Sequence, residues 1–196
     1  MRRTMRRPQQ QGMALLLVLV VLAITLLAGM GVLKAVQTGN SVAGNFSFRQ
    51  VALQASDRAV SDALDEIANR VAGGAGNTAV AHRYLAVIDG TVDALGVPSS
   101  IDWTGVSCSD EKGALIADCT LDDGGFRVQY VVERRCSASP DLANIADIRA
   151  RCEHEPSAAS VSAATTALRY RVLVRVRGPR GTESWFEAVV SGPATT

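Results

Sequence analysis

The sequence predicts an α+β fold in which one long N-terminal helix packs on a C-terminal antiparallel β-sheet. Three observations carry this. Residues 13–33 hold no charged side chain, a stretch long enough to cross the roughly 30 Å hydrocarbon core of a bilayer as a helix. Residues 50–71 then repeat small and aliphatic side chains every three to four positions, the period of an amphipathic helix. From Phe126, and again from Arg169, the period drops to two, as in half-buried strands.

With 196 residues the chain has room for one domain and an appendage. Hydrophobic residues make up 47% and charged residues 20%, which excludes wholesale disorder. The uncharged run argues against a wholly soluble cytoplasmic enzyme. Arg2, Arg3, Arg6 and Arg7 precede that run and no acidic residue does. This asymmetry predicts a cytoplasmic N-terminus, with everything beyond Lys34 across the membrane. From Met13 onward 16 basic side chains face 19 acidic ones, without the basic clusters that nucleic acid requires. The chain therefore divides into a basic leader at 1–12, a spanning segment at 13–33, an amphipathic continuation at 34–72 and an α+β globular region at 73–196.

The leader closes on Gly12, directly against an apolar run longer than the core of an ordinary secretory signal. An ordinary cleavage site occurs later, at Ser41-Val42-Ala43. Gly29 and Gly31 weaken the helix locally and predict a bend. In the continuation, Ala52, Ala55, Ala59, Ala63, Ile67 and Val71 form the apolar stripe, which Val60, Leu64 and Ala68 widen. Asp57, Arg58, Asp62, Asp65, Glu66 and Arg70 take the other face, and Gly73, Gly74 and Gly76 end the helix. No proline lies between residues 9 and 97, so span and stripe form one helix of nearly 60 residues.

Residues 77–125 are turn-rich, and Asp122-Asp123-Gly124-Gly125 reads as a turn before a strand rather than a calcium loop. Phe126, Val128, Tyr130 and Val132 alternate with Arg127 and Gln129. Residues 137–165 read as a long loop with a helical turn near Leu142–Ile148. The last strands, 169–177 and 183–190, flank the turn Gly178-Pro179-Arg180-Gly181. Setting Arg175 opposite Glu183 pairs Arg171 with Glu187, Leu173 with Trp185, Val172 with Phe186 and Tyr170 with Ala188. Arg171, Arg175, Glu183 and Glu187 then form a solvated face.

Cys108, Cys119, Cys136 and Cys152 all follow the span, an even count that reads as two disulfides with three connectivities. The sequential pairing, Cys108 with Cys119 and Cys136 with Cys152, closes the shortest loops, each worth about 3 kcal/mol of chain entropy. No two cysteines stand at zinc-clamp spacing. Walker loops, H-E-x-x-H, nucleophile elbows and dinucleotide turns are absent. A catalytic triad has only His82 and His154 to draw on. No enzymatic activity, cofactor or metal is expected.

A basic leader ending in glycine, followed at once by an apolar helix, resembles the class III signal of type IV pilins. Val42-Ala43-Gly44-Asn45-Phe46-Ser47-Phe48-Arg49-Gln50 and Ala52-Leu53-Gln54-Ala55-Ser56-Asp57-Arg58-Ala59 are similar to the corresponding stretch of the PilX family of pilus assembly proteins. The resemblance covers residues 9–70, with weaker support from 126 onward. It implies a pilin-like fold and cleavage by a prepilin peptidase between Gly12 and Met13, with methylation of the new N-terminus. It also implies residence in the inner membrane with the C-terminal region periplasmic, then passage to the pilus, with other minor pilins and the major pilin as partners. Major pilins carry a glutamate at the fifth mature position for docking on a neighbour's amine. Leu17 stands there instead, which favours a minor over a major subunit. The alternatives are a minor pseudopilin of type II secretion and a membrane-tethered periplasmic binding module or enzyme.

Overall fold

The computed structural model describes residues 13–120, 124–155 and 166–195. The chain forms two compact units, Met1–Ser47 and Phe48–Thr196. Helix α1 runs from Met13 to Ala72, 60 residues, without interruption at Gly29 or Gly31. It ends in a Schellman motif. The Ala75 N–H donates to the Arg70 carbonyl and the Gly74 N–H to Val71, with Gly74 at φ 70°, a conformation glycine adopts without strain.

In the second unit a six-stranded sheet has the order β3-β2-β4-β5-β6, built from β2 (Cys108–Ser109), β3 (Leu115–Ile116), β4 (Arg127–Arg134), β5 (Ala167–Arg177) and β6 (Glu183–Pro193). These pairings are antiparallel, whereas the two-residue β1 (Tyr84–Leu85) joins β4 in parallel. The α+β arrangement is thus present, a long apolar N-terminal helix packed on a sheet that is antiparallel apart from β1.

The stripe of α1 from Ala52 to Val71 supplies the helix side of the core. Ala52, Ala55, Ala59, Ala63, Ile67 and Val71 are buried together with Ser56. Leu64 and Ala68 stay exposed, so the stripe is narrower than the sequence suggests. Against it lie the even-numbered residues of the sheet: Val128, Tyr130 and Val132 of β4, Tyr170 to Val176 of β5, and Phe186, Ala188 and Val190 of β6. Alanine lets the helix approach closely, leaving little spare volume. Ala63, fully buried, is therefore the position where overpacking should show. Ala63→Leu is expected to lower stability by about 1–3 kcal/mol, read as an earlier urea midpoint, and an unchanged midpoint would mean that this face is not packed.

Strand β4 departs from the sequence expectation. It is buried along its whole length, polar positions included: Arg127 is 6%, Gln129 1% and Glu133 0% exposed. At Gln129 and Glu133 the reason is a third layer. The turn-rich stretch 86–106 folds over the far face of the sheet, where Gln129 Nε2 donates to the carbonyls of Trp103 (2.8 Å) and Val106 (2.7 Å). Trp103 meets Trp185 edge to face. Asp89 braces the stretch: hydrogen bonds from Ser100 and Thr91 hold its carboxyl well below the usual carboxylate range. Arg171 is buried as well, shared between Glu133 (3.4 Å) and the Gly96 carbonyl. The Arg171–Arg175–Glu183–Glu187 stripe is therefore not uniformly solvated.

The β5–β6 hairpin also corrects the expected register. Arg175 stands opposite Trp185, Leu173 opposite Glu187, Arg171 opposite Val189, Val172 opposite Ala188 and Tyr170 opposite Val190, a shift of two residues that leaves each side chain on its expected face. Turn chemistry sets it. Pro179–Gly181 is a single 3-10 turn between Gly178 and Thr182, with proline at its first position and Gly181 at φ 70°. The charge pairs persist as diagonals, Arg175–Glu183 at 2.7 Å and Arg171–Glu187 at 3.5 Å.

Both disulfides form with sequential connectivity, Cys108–Cys119 and Cys136–Cys152. The helical turn expected near Leu142–Ile148 lies three residues later as α2 (Ile145–Arg151). Asn144 caps it, accepting the N–H groups of Ala146 and Asp147, and Ile148 anchors it in the core. The turn assigned to Asp122 and Asp123 falls outside the described residues, as does 156–165 of the long loop.

Candidate functional site

The strongest functional feature is the apolar surface of α1 in the first unit. Leucine, valine and alanine with no proline make a helix, and nothing described covers its side chains. Met13 is 81% exposed and Leu17 64%, and the large apolar residues through Leu33 are likewise exposed. The one hydroxyl inside the run is masked, because Thr25 Oγ1 donates to the Leu22 carbonyl at 2.9 Å. Gly29 and Gly31 leave open space where a Cβ would stand. Among the described residues, this one helix is long and apolar enough to cross a membrane.

Of the residues singled out in the sequence, Gly12 lies outside the described part. Met13 opens α1 and Leu17 follows one turn later, so both share one helix face. The four cysteines belong to the second unit and are all bonded. Structure and sequence thus bring Met13 and Leu17 together, and they give the cysteines a purely structural place.

A cluster that the sequence does not reveal ties α1 to the sheet within the second unit. Arg83 Nε donates to Glu66 Oε2 at 2.6 Å, and Arg70 Nη2 reaches Glu66 Oε1 at 3.2 Å. The Arg83 guanidinium stacks 3.7 Å from the centroid of the Tyr130 ring and also donates to its hydroxyl. The Tyr130 hydroxyl in turn donates to Glu66 Oε2 at 3.4 Å. Burial pushes the Tyr130 pKa up to about 12, which keeps it a neutral donor. The cluster holds no nucleophile beside a base; its chemistry is that of a clamp. Glu66 reads as a solvent-face residue in the helical pattern, and Arg83 sits in a stretch without periodicity. The spacing of Glu66 and Arg70, four apart on one helix, is the one visible signal. Among the described residues, no group of three or more His, Cys, Asp or Glu is placed to hold a metal ion.

No protein-family model matches the sequence, and neither a curated protein nor a solved structure matches it.

Proposed function

We propose that the chain is a minor pilin of the PilX type, a non-catalytic subunit that takes part in type IV pilus assembly by priming or capping the fibre with other minor pilins. The observation that carries the reading is the junction at Gly12 and Met13. A basic leader ending in glycine abuts an exposed apolar helix that continues unbroken into the alanine stripe of the globular unit. In this reading a prepilin peptidase removes residues 1–12. The chain waits in the inner membrane with its C-terminal region in the periplasm, held by the four leader arginines on the cytoplasmic side before cleavage. Entry into a fibre exchanges lipid for neighbouring helices of the major pilin and other minor pilins. Ala14, Ala23, Ala28, Gly29 and Gly31 permit close approach in that bundle.

Leu17 supports a minor role. A glutamate at this depth needs a partner amine, because an unpaired charge in the membrane costs on the order of 3 kcal/mol or more. Leucine removes both the cost and the docking contact, which suits a subunit at the tip or in its initiating complex. The chain should accordingly be far scarcer in sheared pili than the major subunit, by quantitative proteomics. Its deletion should reduce the number of pili without changing their diameter, and Leu17→Glu should be tolerated or mildly harmful. Dominance of this chain in purified fibres would overturn the minor assignment, and unchanged piliation on deletion would overturn the assembly role.

A further inference from the structure

Strand β6 is the outer strand of the sheet, and among the described residues nothing pairs with its free edge. The hairpin decides which backbone groups face that edge. The Gly178 N–H donates to the Thr182 carbonyl, so Thr182 and every second residue after it bond to β5. The Arg135 N–H bond to the Arg169 carbonyl shows the complementary half of the alternation, odd residues of β5 bonding away from β6. The N–H and C=O groups of Glu183, Trp185, Glu187, Val189 and Ser191 therefore point outward from the sheet. Long edges are commonly blunted by charged side chains, lysine above all, by proline or by a bulge, and the charges on β6 are Glu183 and Glu187. Strand β6 has no lysine and no proline before Pro193, and it pairs residue for residue with β5 over 11 positions.

A groove of about 370 Å³ lies at the start of this edge, lined by Arg49, Leu53, Ser184, Trp185 and Phe186. Leu53 and Val189 are each 52% exposed. A strand added to β6 would lay alternate side chains over Leu53 and Phe186, and the others over Trp185 and Val189. A second copy of this chain suits the edge poorly. In the two-fold antiparallel registers of fullest overlap, Glu187 meets its own copy directly or on the diagonal, and like charges there are unfavourable. Glu187 also has capacity for a cation: its side chain is 52% exposed, and its ion pair with Arg171 is long, 3.5 Å, while Arg171 is shared with buried Glu133.

The geometry points to β6 as the docking edge for an extended strand of a different protein, with Lys or Arg opposite Glu187 and apolar residues two positions to either side. This stands on the edge and its groove, independently of the pilin reading.

The test uses the full chain in detergent micelles, with amide hydrogen exchange read residue by residue by NMR. The probe is a short synthetic β-prone peptide with a central Lys and valines two positions to either side; a control peptide has Glu for Lys. The Lys peptide should slow exchange at Glu183, Trp185, Glu187, Val189 and Ser191, leaving the β5-bonded amides between them unchanged. The Glu peptide should bind about tenfold more weakly, and Glu187→Lys should reverse that order. Val189→Pro removes an outward N–H without touching the ladder to β5, and should abolish the slowing. Outward amides already protected in the free chain, no slowing at millimolar peptide, or a peptide preference unmoved by Glu187→Lys would each overturn the proposal.

Discussion

A chain carrying Gly12→Val should accumulate in the membrane as the full-length precursor, and its incorporation into pili should be lost. The peptidase of the proposed pathway must bring its catalytic groups onto the peptide bond between Gly12 and Met13. A glycine leaves that bond unobstructed on one side, whereas a β-branched side chain both crowds it and stiffens the backbone. The consequence extends past the cut. A retained leader keeps Arg2, Arg3, Arg6 and Arg7 attached to the helix, and drawing each into the bilayer costs on the order of 3 kcal/mol. The uncleaved chain is therefore pinned to the cytoplasmic face and cannot leave with a growing fibre. Immunoblots should show only precursor; mature-sized protein in normal amount from this variant would refute the class III signal.

The largest loss of fold stability should come from Glu133→Ala. Glu133 is fully buried near the C-terminal end of β4, where its carboxylate accepts the Asp89 N–H at 3.0 Å and faces Arg171 at 3.4 Å. Truncation leaves the guanidinium of Arg171, whose side chain is 9% exposed, with only the Gly96 carbonyl and the long contact to Glu187, and leaves the Asp89 amide without its acceptor. Removing one partner of a buried ion pair costs about 3–5 kcal/mol. The urea midpoint should fall accordingly. Glu133→Gln, which keeps an acceptor for the Asp89 amide, should fall less. Equal midpoints for Glu133→Ala and the parent chain would show that the 86–106 layer does not close over the sheet.

What the sequence discloses and what it hides have physical causes. The stripe from Ala52 to Val71 is legible because one helix face is buried and its period is 3.6. The faces of β5 and β6 are legible because a strand alternates strictly. The register of that hairpin is not, since charge pairing on the far face is satisfied as well by diagonal neighbours as by direct ones. Pro179 and Gly181 decide between them through the backbone. The burial of Gln129 and Glu133 is hidden for another reason. Alternating polar residues read as a solvated face, and the segment that covers them, built from Asx turns at Asp89, Asp93 and Asp102, has no periodicity. Arg83 escapes notice on the same grounds. The leader and Gly12 are legible only as a pattern of charge, glycine and apolar length, which is why the proposed function rests on that junction.

The chemistry of the mature N-terminus therefore separates a processed pilin from the alternatives. Mass spectrometry of the chain purified from the membrane and from sheared fibres should find it beginning at Met13, with a methyl group on its amine. An intact Met1 would identify a plain membrane anchor, a start at Gly44 would identify a secreted protein, and either would contradict the pilin account.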